Sequence, residues 1–172
     1  MASRRKSRET LLKALYLCES RDIPVDEAFA EMEAANHRAR EQSSDPEMLS
    51  LKHFALGLDE KQKKFAMTLA HKIVRSKNSF NDSIKTVLQN WDLSRVSRID
   101  RIIMWIALAE MTFMLDIPPN VSINEAIELA KKYSSRKSPS FVNGILDTIA
   151  RNKGIISDSD KSHSKKDEGN ID

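Results

Sequence analysis

Glycine, cysteine and aromatic residues are all scarce in this chain, and each shortage removes a class of function. Only 4 Gly occur, at Gly57, Gly144, Gly154 and Gly169. They are too scattered for a loop in which neighbouring glycines let backbone amides close around a phosphate. Nucleotide-dependent catalysis and a methyl-donor domain therefore lack their parts. The single cysteine, Cys18, excludes an internal disulfide and a multi-cysteine zinc site, and it fits a reducing compartment. His37, His53, His71 and His163 stand apart from Cys18 and form no H-E-x-x-H arrangement, so neither a metal nor another cofactor is expected. Cys18 falls on the apolar stripe of the first expected helix, where packing is the expectation rather than nucleophilic chemistry. The longest apolar region, Ile102 to Leu115, is interrupted by Glu110 and Thr112 and is shorter than the roughly 20 residues a bilayer requires. The opening carries cations but no apolar signal core. The expectation is a cytoplasmic protein that is not an enzyme.

With aromatics at 6%, charged residues at 31% and 5 Pro, the composition suits long helices better than a strand-rich sandwich. The class expected is all-α, with length for one substantial core. Leu11, Leu12, Leu15 and Cys18 recur at helical spacing and predict a helix from about Ser7 to Glu19. Pro24 separates it from a short helix, Val25 to about Glu33, and the polar run from Asn36 to Pro46 reads as a mobile connection. A short element near Met48 to Leu56 follows. Asp59 and Gln62 form a capping box ahead of a helix carrying Phe65, Leu69, Ile73 and Val74. A break at Lys77-Asn78-Ser79 precedes another helix, Phe80 to Trp91. Val96 to Leu115, apolar nearly all round from Ile102 on, predicts a helix enclosed by others. Pro118-Pro119 ends it, Ser122 with Glu125 forms a second capping box, and Ser138-Pro139 caps the last helix, which Gly154 stops. Residues 157–172 form a polar tail of mixed charge, expected to be disordered.

The formal charge is only +3, yet Arg4, Arg5, Lys6 and Arg8 crowd the first eight residues with no acid before Glu9. Cations there oppose the partial positive charge and unpaired N–H groups of a helix start, unless an anion arrives. The mismatch points to a phosphate partner. Tyr16, two turns beyond Arg8, is either a ring on which an unpaired base stacks or a boundary tyrosine packing on the bundle. Lys137 sits one residue before Ser138-Pro139 with Phe141 four residues on, which offers a nucleotide both charge and ring; the alternative is a solvated loop lysine. Glu125 and Glu128, three apart on one helix face, read as a cap and a solvated face rather than an acid/base pair.

Asn90-Trp91-Asp92, Arg101-Ile102-Ile103, Asp116-Ile117-Pro118, Ile123-Asn124-Glu125-Ala126 and Phe141-Val142-Asn143-Gly144-Ile145-Leu146-Asp147 follow one another after the basic Ser3-Arg4-Arg5-Lys6-Ser7-Arg8-Glu9. In this order the set resembles the NusB family of bacterial transcription antitermination factors over nearly the whole chain. The resemblance implies a helical RNA-binding domain over residues 1–156, of about seven helices packed as two small bundles. It implies binding of a boxA-like single-stranded RNA in nascent ribosomal RNA transcripts, together with a small-subunit ribosomal protein acting as Nus factor E. The pair would join an antitermination complex on RNA polymerase. Arg4, Arg5, Lys6 and Arg8 match the family's arginine-rich RNA-binding motif, with Lys6 where arginine is common. Tyr16 matches its tyrosine, Phe141 its RNA-facing phenylalanine, and Asp100 an acidic position facing the protein partner. Ser7 and Thr10 replace alanine-like positions, Trp105 stands where arginine is frequent, and the loop from Ser134 to Ser138 is basic where relatives can be acidic. Two rival readings are an accessory module related to the N-terminal domains of ribosomal RNA methyltransferases and a helical dimer without RNA. The resemblance leaves monomer and homodimer both open.

Overall fold

The computed structural model describes residues 2–41, 58–89 and 92–156. Among the described residues there are six α-helices: α1 (Ala2–Arg21), α2 (Val25–Glu41), α3 (Glu60–Leu88), α4 (Arg98–Phe113), α5 (Pro119–Tyr133) and α6 (Ser138–Asn152), with a 3-10 turn at Leu93–Arg95. No strand occurs among the described residues, and the expected all-α class is found. The remainder of the polar run beyond Glu41, the element expected near Met48 to Leu56, Asn90-Trp91 and residues 157–172 lie outside the described residues.

α4 is the hub. Every residue from Ile102 to Met111 is buried, and the helix packs against α1, α3, α5 and α6. Such burial on all sides is what an apolar circumference demands. α1, α2 and α3 group on one side of it and α5 and α6 on the other, while α3 also reaches α6.

α3 opens with the expected capping box. The Gln62 amide donates to Asp59 Oδ1 at 2.8 Å and the Asp59 amide donates to Gln62 Oε1 at 3.0 Å. It then runs without the expected break at Lys77-Asn78-Ser79. The weak helix propensity of Asn and Ser costs only tenths of a kcal/mol per residue relative to alanine, roughly 0.5 or so. Against that, Leu69, Ile73, Phe80 and Ile84 continue one buried face through the polar stretch. Tertiary burial decides the outcome. α1 and α2 likewise extend beyond their expected ends.

Two expected caps are absent for a related reason. α5 starts at Pro119, before Ser122, and has no side-chain cap; α6 starts at Ser138 with Lys137 preceding it, also uncapped. Both serines turn inward instead. Ser122 Oγ donates to Glu110 at 2.8 Å and Ser138 Oγ donates to Asp100 at 2.9 Å. A buried carboxylate needs donors more than a solvated helix end does.

Trp105 is buried, and its indole N–H donates to Asn81 Oδ1 on α3 at 2.9 Å. The cations of Lys77 and Arg101 each lie 5.5 Å from its ring centroid. The tryptophan is thus a joint between α3 and α4, with its polar edge satisfied.

α6 ends at Gly154, whose φ of +66° is left-handed. The Gly154 amide donates to Arg151 O at 2.9 Å and the Ile155 amide to Ala150 O at 2.8 Å, the paired bonds of a Schellman stop. A Cβ on Gly154 would meet nothing within 4 Å. Gly154→Ala should therefore cost about 1 kcal/mol, all of it conformational. Urea unfolding would show a lower midpoint at unchanged slope; an unaltered midpoint would mean the turn relaxes freely.

Candidate nucleic-acid interface

α1 runs antiparallel to α4, so that Arg8 meets Glu110 while Glu19 meets Arg101 and Ser20 meets Arg98. Its N-terminal turns also reach α5, to which it lies parallel: Arg5 meets Glu125 and Glu9 meets Lys132. Arg4, Arg5, Arg8 and Glu9, in the first turns of α1, each pair with one of these two helices or the turn between them.

The innermost contact is Arg8 with Glu110, whose side chains are only 4% and 1% exposed. Arg8 Nε donates to Glu110 Oε1 at 2.6 Å and Nη2 to Oε2 at 2.9 Å, with Ser122 Oγ a third donor at 2.8 Å. Arg8 Nη1 also lies 3.4 Å from Glu125 Oε2. Planar forks matched in this way are the geometry in which a desolvated ion pair is tolerated. Arg8, expected among the RNA-facing cations, is a buried structural group, and the exposed cations of this turn are Arg4, Arg5 and Lys6.

Around this pair lies a half-exposed ring. Arg5 forks onto Glu125, Nε to Oε2 at 3.2 Å and Nη2 to Oε1 at 2.8 Å. Arg4 Nη2 donates to Asp116 Oδ2 at 2.7 Å, and its guanidinium carbon lies 5.5 Å from the Phe65 ring centroid. Glu9 receives Lys132 Nζ on both oxygens, at 2.9 and 2.8 Å, and the Tyr133 hydroxyl at 2.9 Å. The mismatch between basic residues and the start of α1 is thus answered by carboxylates of the same chain. Glu125, expected to be a cap, is a partner for two arginines.

The titration of these groups follows their contacts. The hydrogen bonds from Arg5 hold the Glu125 carboxyl below its ordinary range against partial burial, and Arg8 adds to the attraction. Arg4 does the same for Asp116. Burial pushes Glu9 upward, but bonds from Lys132 and Tyr133 outweigh it and leave it low. Burial raises the Tyr133 hydroxyl, and its bond to Glu9 raises it further.

At the other end of α4 a second group assembles. Asp100 is 6% exposed; its Oδ2 accepts from Ser138, and the Ser97 hydroxyl accepts from its amide at 3.0 Å. Asp100 Oδ1 is buried with no partner among the described residues. Expected at a partner-facing position, Asp100 is a clamp between α4 and the first turn of α6. Arg95, Asp100, Ser135, Lys137 and Phe141 line an open cleft of about 300 Å³ here. Lys137 is exposed and Phe141 half-buried. Tyr16, 40% exposed, presents its ring at this same end of α4, with the Arg98 guanidinium 5.7 Å from its centroid. The cleft and the buried ion pair stand about 15 Å apart, the rise of ten helical residues from Asp100 to Glu110. The expected RNA-facing residues therefore fall in two groups, with Lys137, Phe141 and Tyr16 apart from Arg4, Arg5 and Arg8.

Sequence reasoning missed Glu110, Glu9, Lys132 and Tyr133. Only Glu110 left a signal: a lone carboxylate inside an apolar helix requires a buried cation. Elsewhere, burial pushes the half-buried Cys18 thiol up to about 11, leaving it protonated at neutral pH. Among the described residues no group of three or more His, Cys, Asp and Glu is placed to hold a metal, and no helix is long and apolar enough to cross a membrane.

A family profile described as the NusB family matches residues 5–151. The transcription antitermination protein NusB of Geotalea uraniireducens (strain Rf4) is 36% identical over 150 residues, which is 87% of this chain and 95% of the relative. A solved structure of T. maritima NusB superposes with a TM-score of 0.67 at 33% identity, covering 86% of this chain and 90% of that one. A crystal structure of antitermination factors NusB and NusE with double-stranded RNA has the same fold, with a TM-score of 0.66 at 22% identity over 88% of this chain and 98% of that one.

Replacing Arg8 alone by Met strands the Glu110 carboxylate and should destabilise the chain by about 3–5 kcal/mol, while Arg8→Met with Glu110→Leu should recover most of the loss. Equal losses in urea unfolding would place the cost in packing rather than in stranded charge. Because Glu9, Asp116 and Glu125 are all held low in the folded state, their stabilisation is complete above the ordinary carboxylate range and is lost as pH falls through the depressed values. The melting temperature should hold from neutral down to about pH 5 and drop below about pH 4. A flat profile to pH 3 would contradict this.

Proposed function

Because the chain belongs to the NusB family, we propose that it is a transcription antitermination factor, acting in the cytoplasm without catalytic chemistry, that binds a boxA-like single-stranded RNA in nascent ribosomal RNA transcripts. It binds this RNA with a small-subunit ribosomal protein acting as Nus factor E, and the pair joins the antitermination complex on RNA polymerase. The observation that carries this reading is the match along nearly the entire length of a relative named a transcription antitermination protein.

The geometry supports a division of labour. Cations attract the RNA backbone through counterion release, while base choice comes from unstacked bases on aromatic rings and from hydrogen bonds. At the start of α6, Lys137 and Phe141 offer charge and ring in one cleft, with Tyr16 presenting a second ring at that end of α4. Arg4, Arg5 and Lys6 extend the cationic surface from the far end of α1. With all three arginines at the start of α1 engaged by carboxylates, the chain alone holds a modest grip on RNA, and a protein partner supplies further surface.

Titrating a labelled boxA-like RNA with this chain, alone and with the ribosomal protein, tests the reading. The partner should tighten RNA binding, and RNA should tighten partner binding by the same factor. Lys137→Glu should lower RNA affinity by roughly 1 kcal/mol, the scale of one charge-assisted contact, while thermal stability stays nearly constant. No RNA binding at low salt, even with the partner present, would overturn the reading.

A further inference from the structure

We infer that Glu125 and Asp116 are internal competitors for RNA phosphate, so that Arg5 and Arg4 reach RNA only by exchanging a carboxylate of their own chain for a phosphate. The inference rests on the RNA-binding reading above. Arg5 grips Glu125 with two parallel N–H donors at 3.2 and 2.8 Å, the same fork a phosphate would take, and Arg4 holds Asp116 at 2.7 Å. The Arg5 and Arg4 side chains are 52% and 47% exposed, so an incoming backbone can reach both. Arg8 is different, because its pairing with Glu110 is buried and no phosphate can enter without opening the bundle. The exchangeable arginines are therefore two, and both are occupied.

Occupied arginines make the turn selective. An RNA that offers phosphates alone must displace two carboxylates already within hydrogen-bond distance. An RNA held at the Lys137 and Phe141 cleft by base contacts delivers its next phosphates at high effective concentration, about 15 Å along α4. Exchange is then intramolecular, and the turn adds affinity only to RNAs the cleft has accepted. The competing carboxylates thus convert a general polyanion site into a second check on the bound RNA.

The experiment is RNA binding by the full chain, comparing the wild type with Asp116→Asn and Glu125→Gln, using a boxA-like RNA and a 12-mer of oligouridine. Glu31→Gln is the control: it removes the same charge from the pair of Arg21 with Glu31 at the far end of α1. Asp116 is exposed and Asp116→Asn has no core to disturb; Glu125→Gln is measured at a temperature well below the onset of its own melting transition, where it is fully folded. The Asp116 variant should bind RNA about threefold more tightly and the Glu125 variant up to about fivefold, on the scale of one ion pair released. The gain should be larger for oligouridine, and the salt slope should steepen by about 0.7 for each arginine freed. If both variants tighten no more than Glu31→Gln, net charge alone is at work and the inference falls. Wild-type binding that neither variant tightens overturns it too, leaving the functional reading in place. Failure of every form to bind either RNA overturns that reading itself.

Discussion

The Arg8 and Glu110 ion pair is the constraint on which the arrangement of α1, α4 and α5 depends. Taking a guanidinium and a carboxylate out of water costs several kcal/mol for each ion, even after relaxation. That cost is offset only if their forks align and the remaining lone pairs find donors. The alignment requires α1 to cross α4 at one register, and the third donor, Ser122, requires α5 to begin before that residue rather than at it. A packed hydrophobic seam fixes register through shape alone; this contact adds a directional requirement, since a fork out of line strands a buried charge. The half-exposed pairs of Arg5 with Glu125 and Glu9 with Lys132 follow from the register so set.

The same logic explains why the surface charge of the first turn differs from its composition. Four cations within five residues suggest a free basic arm, and the folded chain instead places Asp116, Glu125 and Glu110 against three of them. Residues 112 and 120 positions away in sequence set the field at Arg4 and Arg5. Charge counted along a chain is a poor guide to potential on its surface when the helices carrying opposite signs are brought side by side.

How much was legible in the sequence follows the range of the interaction involved. The hub helix, the Asp59 and Gln62 box and the Gly154 stop depend on neighbours within a few residues, and all were readable. Ser122 and Ser138 were misread as caps because a serine near a helix start looks the same whether its hydroxyl serves a neighbouring amide or a carboxylate 12 or 38 residues away. The break expected at Lys77-Asn78-Ser79 failed because local propensity is weak beside the burial of Ile73 and Phe80 on either side. The site residues divide in the same way: Lys137 and Phe141, four apart, share a cleft as their spacing suggested, whereas the burial of Arg8 depended on α1 meeting α4 and α5, and that of Asp100 on α4 meeting α6.

The uninterrupted α3 has a mechanical consequence. Its 29 residues bind α1, α2, α4 and α6, so it belongs to both halves of the molecule and offers no hinge between them. Bending it would break backbone hydrogen bonds and, near Phe80, uncover apolar surface together. Halves yoked by a rigid beam of about 44 Å at 1.5 Å per residue lose their structure as one cooperative unit, and the amides at its middle exchange with solvent only when the whole domain opens.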